Sequence, residues 1–247
     1  MNFLSLFKRN LIYKLKKKID VDKDDLSSMS LDQFFHHYGS DKAEIFKLNK
    51  KKGHGYSKFY LKHLQKFKKN QLNILEIGSY SGASAAAFSK YLPNSQIFCL
   101  DINVSKFKYS SEKIKVYGVD INNKSKVIKI LKTIFLDKKF KNFDMIIDDG
   151  SHKLSEILNC INFFFKYLKS GGIFVIEDYM LPNYFQNNKD VDDIFVDQLL
   201  KKLRNNEFFK SNFFNKEDQK YLISSINKID NYKGNLDISD ICFIEKK

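Results

Sequence analysis

The sequence has no tryptophan, two prolines and three cysteines. Cys99, Cys160 and Cys242 lie far apart, each in an apolar run and without CxxC spacing. They are expected to be buried thiols in a reducing compartment, so neither a disulfide framework nor a zinc site is expected. Long apolar runs are missing too: none approaches the roughly 20 residues of a membrane-crossing helix. The opening "MNFLSLFKRNLIYKLKKKID" has no long apolar stretch followed by a small-residue cleavage site, which argues against a secretory signal and for a cytoplasmic location. Arginine is also scarce, with Arg9 and Arg204 the only two, so the net charge of +14 is carried by lysine. Phosphate and base recognition leans on arginine forks. The charge therefore reads first as a solvated lysine-rich surface, with nucleic acid not the expected partner and an anionic substrate or membrane surface left open. No internal repeat of useful length occurs.

What is present is 43% hydrophobic and 15% aromatic over 247 residues, enough for one packed core with an elaboration at one end. Residues 1–30 read as a basic amphipathic helix and linker. Phe3, Leu4, Phe7, Leu11, Ile12, Leu15 and Ile19 recur near helical spacing among lysines, so this helix either docks its apolar stripe on the domain or a partner subunit, or lies on an anionic membrane. Residues 31–70 form a second segment. In it, Ser40 or Asp41 would cap a helix through "AEIFKL".

From Asn73 onward, short apolar runs alternate with helical stretches. "NILEIGS", "QIFCLDIN", "IKVYGVDIN", "FDMIIDDGS" and "IFVIEDY" read as strands. "GASAAAFSKYL", "KVIKILKTIFLDK" and "SEILNCINFFFKYLKS" read as helices between them, the last stopped by Gly171 and Gly172. Near-continuous apolar strands alternating with helices predict a doubly wound α/β fold with a mostly parallel sheet covered on both faces, over residues 71–247. In the tail, "DDIFVDQLLKKL" looks helical, and "KYLISSINKI" and "ISDICFIEKK" read as an antiparallel pair at the sheet edge, making seven strands.

Acidic residues fall repeatedly at strand ends, where open parallel sheets bind ligands. Glu76 ends the first strand, Asp101 the second, Asp120 the third, Asp148 and Asp149 the fourth, Glu177 and Asp178 the fifth. The first turn, "EIGSYSGAS", places Gly78 and Gly82 where backbone passes close to a ligand or takes positive φ. Tyr80 occupies the place where a dinucleotide fingerprint needs its second glycine, so a cofactor without a pyrophosphate fits better. Asp101 is well placed to accept hydrogen bonds from two ribose hydroxyls.

"LEIGSYSG", "IFCLDIN", "FDMIIDDGSH" and "GGIFVIEDY", in this order, resemble the class I S-adenosylmethionine-dependent methyltransferases. More narrowly, with the upstream "HHYGSDK" and "HGYSKFY", they resemble the metal-dependent macrolide-type sugar O-methyltransferases, which methylate a deoxysugar hydroxyl on mycinamicin or tylosin precursors. The resemblance runs from Phe34 to Tyr179. It implies a Rossmann-like core with a site for S-adenosyl-L-methionine drawn from Glu76, Gly78, Ser79, Gly82, Asp101, Ile102, Asp120 and Asp148. Tyr38, Ser40 and Lys42 would cover that cofactor, with His54 and Tyr56 as lid residues. The resemblance also implies Asp149 and Asp178 as carboxylates for Mg²⁺ or Mn²⁺ and His152 as general base. The third ligand is Glu177 or Asp148, or neither, because adjacent strand residues point to opposite sides. Without the resemblance, His152 would read as a residue bonding the start of the next helix.

A neutral sugar hydroxyl is a poor nucleophile, and a divalent ion with oxygen ligands would lower the pKa of its proton. The expected activity is metal-dependent O-methylation of a sugar, nucleotide-linked for a bacterial surface polysaccharide or carried on a glycosylated natural product. An RNA or other small-molecule methyltransferase and a noncatalytic membrane-peripheral module are the alternatives, and a homo-oligomer is an open expectation.

Overall fold

The computed structural model describes residues 3–26, 28–48, 50–67, 70–185 and 191–247. Met1 and Asn2, which begin the expected amphipathic segment, lie outside the described residues. The chain forms two compact units, residues 1–141 and 142–247.

The first unit opens with α1 (Phe3–Leu15). Arg9 donates to the Ile102 carbonyl (3.2 Å), Asn10 to the Gly118 carbonyl (3.5 Å) and Lys16 to the Ser105 carbonyl (3.3 Å), while Tyr13 sits edge-on to Phe107. The helix thus docks through polar bonds and the Tyr13 ring, while Phe7, Leu11, Ile12 and Leu15 of the expected apolar stripe stay exposed. α2 (Leu31–Tyr38) starts at a capping box between Ser30 and Gln33 and stops at Gly39, which takes φ 78°. The helix expected through "AEIFKL" is instead a small antiparallel pair, Ile45–Phe46 against Lys51–Lys52. Its return is fixed at Gly53, whose N–H bonds the Glu44 carbonyl (2.8 Å) and where any Cβ would stand 2.1 Å from the Ala43 oxygen. α3 (Ser57–Leu64) follows.

β1 (Asn73–Ile77), α4 (Ala83–Tyr91), β2 (Gln96–Asp101), β3 (Ile114–Gly118) and α5 (Lys124–Lys138) complete this unit. The strands run in the order β1, β2, β3, all parallel, with Leu75 opposite Phe98 and Cys99 opposite Val116. Ile74, Leu75 and Leu100 are fully buried, which is why their segments read as unbroken apolar runs.

The second unit holds β4 (Phe143–Asp148), α6 (Leu154–Phe164), β5 (Leu168–Glu177), α7 (Val196–Arg204), α8 (Lys216–Ser225), β6 (Ile226–Lys233) and β7 (Asp240–Lys246). β4 and β5 are parallel, β7 lies antiparallel on β5, and β6 antiparallel on β7, so the expected antiparallel edge is present.

Two details differ from expectation. Gly171 and Gly172 do not stop a helix; they lie inside β5, where the register jumps from Phe143 opposite Leu168 to Met145 opposite Ile173. Gly171 takes φ 73°, and a Cβ on Gly172 would meet the Lys169 oxygen at 2.8 Å, so the pair builds a bulge. In the tail, Lys220–Ser225 finish α8 rather than begin a strand. An Asn215–Asp218 capping box starts that helix. Seven main strands, mostly parallel with an antiparallel edge and alternating with helices, give the expected doubly wound α/β fold.

Candidate active site

In the second unit, β4 and β5 each deliver carboxylates at their C-terminal ends. Asp149, His152 and Asp178 come together, with one ligand-type atom from each within 4.8 Å of the others. His152 Nε2 is 3.7 Å from Asp149 Oδ1 and 4.0 Å from Asp178 Oδ2. Both His152 (φ 55°) and Asp178 (φ 50°) have left-handed backbone, a conformation that costs a non-glycine residue about 1–2 kcal/mol. Two such residues in one three-residue cluster mark a place where side-chain position overrides local backbone preference.

The turn into α6 shows how His152 is freed for this. Ser151 Oγ donates to Glu156 Oε2 (2.6 Å) in the helix's first turn, so the serine secures the helix start and the imidazole turns to the carboxylates. In the sequence this pair shows only as a Ser followed five residues later by Glu at a helix start.

Asp149 and Asp178 supply carboxylate oxygens, the donors a hard divalent ion such as Mg²⁺ takes, with the His152 imidazole beside them. Glu177 is buried at the end of β5 opposite Ile241 and is not part of the cluster. Asp148 is buried, with Oδ2 lacking a hydrogen-bond partner. Burial pushes its carboxyl up to about 7, against the opposing pull of the Cys160 thiol and of His152.

The residues expected at the cofactor lie mainly in the first unit. Gly78 (φ 85°) and Gly82 (φ 78°) make the turn after β1, and a Cβ on Gly82 would strike the Phe107 ring at 2.3 Å. Asp101 accepts the Tyr80 N–H at Oδ2 (2.7 Å) and the Asn103 N–H at Oδ1 (2.5 Å). Tyr80 reaches that bond with φ 41° and an exposed ring. Each Asp101 oxygen keeps lone-pair capacity for a ribose hydroxyl, and the glycine turn lets a ligand approach the backbone. This set fits a ribose-bearing cofactor.

Other expected residues have structural partners. Glu76 does not end β1 but lies within it, opposite Cys99 and ahead of Ile77, where it is buried and accepts the Ser84 hydroxyl, tying β1 to the start of α4. Ser79 is buried beside it, its hydroxyl reaching the Glu76 carbonyl (3.4 Å). Ile102 is partly exposed and gives its carbonyl to Arg9. Asp120 closes an Asx turn on the Asn122 N–H (3.0 Å) ahead of α5. The Tyr38 hydroxyl donates to Asp24 (2.8 Å), and burial, then that aspartate, raises its pKa. Ser40 Oγ accepts the Lys42 N–H (3.3 Å), and Lys42 is fully buried. The Lys42 carbonyl accepts the N–H groups of Tyr56 and Ser57, while His54 packs on the Tyr56 ring at 5.1 Å and lies 3.9 Å from Asp41. The two stretches expected to cover the cofactor are therefore bonded to each other.

The chain has the class I methyltransferase fold, and residues 75–179 match a family model described as a methyltransferase domain. Within that class it is similar to mycinamicin VI 2''-O-methyltransferase of Micromonospora griseorubida, 28% identical over 135 residues, 51% of this chain and 31% of that protein. It is also similar to demethylmacrocin O-methyltransferase of Streptomyces fradiae, 25% identical over 132 residues, 51% and 32% of the two chains. The chain thus spans about a third of the length of these relatives. Among solved structures, the mycinamicin-pathway methyltransferase MycE in complex with Mg, SAH and mycinamycin VI aligns with a TM-score of 0.66 at 21% identity, covering 89% of this chain and 55% of that one.

Proposed function

We propose that the protein is an S-adenosyl-L-methionine-dependent, divalent-metal-dependent O-methyltransferase acting on a sugar hydroxyl. The observation that carries this reading is the Asp149, His152 and Asp178 cluster at the ends of β4 and β5, within a matched methyltransferase domain. The names of the related proteins, sugar O-methyltransferases of glycosylated natural products, support it.

In this reading Asp149 and Asp178 hold the ion. When bound, a divalent ion lowers the pKa of an acceptor hydroxyl and fixes its approach. His152 takes the hydroxyl proton at Nε2 as general base. The hydroxyl oxygen forms a bond to the methyl carbon as the carbon–sulfur bond breaks, and that bond's electron pair stays on sulfur. Asp101 grips the ribose of the methyl donor, and the turn from Gly78 to Gly82 lets the donor lie against the backbone. The net charge of +14 favours an anionic acceptor, and we place the enzyme in the cytoplasm, acting on a nucleotide-linked sugar.

The test is a mass-spectrometric screen of nucleotide sugars with purified protein, S-adenosylmethionine and Mg²⁺. Gain of one methyl group that disappears in EDTA supports the reading. Full turnover in chelator would refute the metal role, and absence of S-adenosylmethionine binding by calorimetry would point to a noncatalytic module.

A further inference from the structure

α1 docks with one face and leaves the other uncovered. Arg9, Asn10 and Tyr13 face the first unit. Phe7, Leu11, Ile12 and Leu15 are 61%, 46%, 42% and 78% exposed. At helical spacing these four fall within an arc of about 140° on the side away from the docking residues. Four large apolar side chains left on the solvent side of a helix already docked by its other face form a patch that marks a contact surface.

Its surroundings indicate the occupant. Exposed Lys8 and Lys14 lie within or beside the apolar arc, Lys17 follows the helix, and no carboxylate precedes Asp20. A second copy of this chain would bring these lysines against their own counterparts with no helical acid to pair them, on a chain already at +14. An anionic lipid surface supplies both missing halves: negative headgroups for the lysines and an acyl boundary for the four apolar side chains. Among the described residues no helix is long and apolar enough to cross a membrane, so the contact is peripheral.

We propose that α1 is an interfacial helix that holds the protein on an anionic bilayer through Phe7, Leu11, Ile12 and Leu15, with Lys8, Lys14 and Lys17 at the headgroups. The helix is about 20 Å long and lies flat, and its docking contacts on the Ile102 and Ser105 carbonyls keep the apolar arc outward. The assignment is independent of the methyl-transfer reading, since it uses no residue of that site.

The experiment is flotation of the full chain with vesicles of phosphatidylcholine alone or mixed with phosphatidylglycerol, at low and raised salt. The wild type is expected to float with the mixed vesicles, less so at raised salt, and not with phosphatidylcholine. Leu11→Ser combined with Leu15→Ser, and separately Lys8→Glu combined with Lys14→Glu, are expected to lower partitioning more than tenfold, since each lysine near an anionic surface is worth about fivefold. Circular dichroism and thermal melting check that both variants remain folded. Failure of the wild type to float with mixed vesicles at low salt would overturn the proposal, as would wild-type flotation by both variants. A dimer in sedimentation that the leucine variant converts to monomer would assign the face to a second copy instead.

Discussion

His152 Nε2 stands 3.7 Å from Asp149 Oδ1, across a turn in which His152 itself takes φ 55°. The backbone bends against its own preference to keep an imidazole beside two carboxylates. If that strain serves chemistry, removing the imidazole should separate stability from turnover.

His152→Asn tests this, because Asn tolerates left-handed backbone better than most residues. The variant is expected to keep or slightly raise its melting temperature while turnover falls by about 10²- to 10⁴-fold, the range of a lost general base. Mn²⁺ affinity should stay within a few-fold. A large loss of Mn²⁺ affinity would make His152 a ligand rather than the base.

Asp101 binds two backbone N–H groups and has capacity left for a ribose. Hydrogen bonds to a charged group are worth about 1.5–3 kcal/mol, so Asp101→Ala is expected to weaken S-adenosylhomocysteine binding by about 10- to 100-fold by calorimetry. Unchanged affinity would remove Asp101 from the cofactor site.

Gly82 combines φ 78° with a Phe107 ring where a Cβ would go. Gly82→Ala therefore meets both backbone strain and overpacking, each costing about 1–3 kcal/mol. Its melting temperature should drop by several degrees. The double variant Gly82→Ala with Phe107→Leu should recover only the packing part.

Asp148 carries the expected pH dependence in chelated protein. Burial raises its folded-state pKa to about 7, above the unfolded value of roughly 3.9, so the folded state binds the proton more tightly. Its contribution is fully present below the unfolded pKa and is lost as pH rises through about 7. Asp148→Asn is then expected to be more stable than wild type at pH above that value, by on the order of a few kcal/mol, the gain shrinking as pH falls. Parallel melting curves across pH would contradict the burial argument.

Much of the core was legible because β1, β2, β4 and β5 are buried apolar runs, the last three ended by acids, and the elements of a parallel sheet write themselves that way. Legibility failed where tertiary contacts override local pattern. "AEIFKL" has helical composition, yet the close approach of Gly53 to Ala43 folds it as a hairpin. "KYLISSINKI" hid a helix end, although the Asn215–Asp218 spacing of its capping box was readable. α1 showed its period but not its facing, because hydrophobic spacing alone does not say that Asn10 and Tyr13 would do the docking. Asp149, His152 and Asp178 were each named from sequence. Positive φ at the last two could not be, since His and Asp take it more often than most residues but still as a minority conformation.

The most direct measurement is a Mn²⁺ titration followed by electron paramagnetic resonance, on the wild type and on Asp149→Asn and Asp178→Asn. The account predicts one tight site in the wild type, weakened at least tenfold in each variant while S-adenosylhomocysteine binding persists. Wild-type Mn²⁺ affinity in both variants, or no tight site in the wild type, would contradict it.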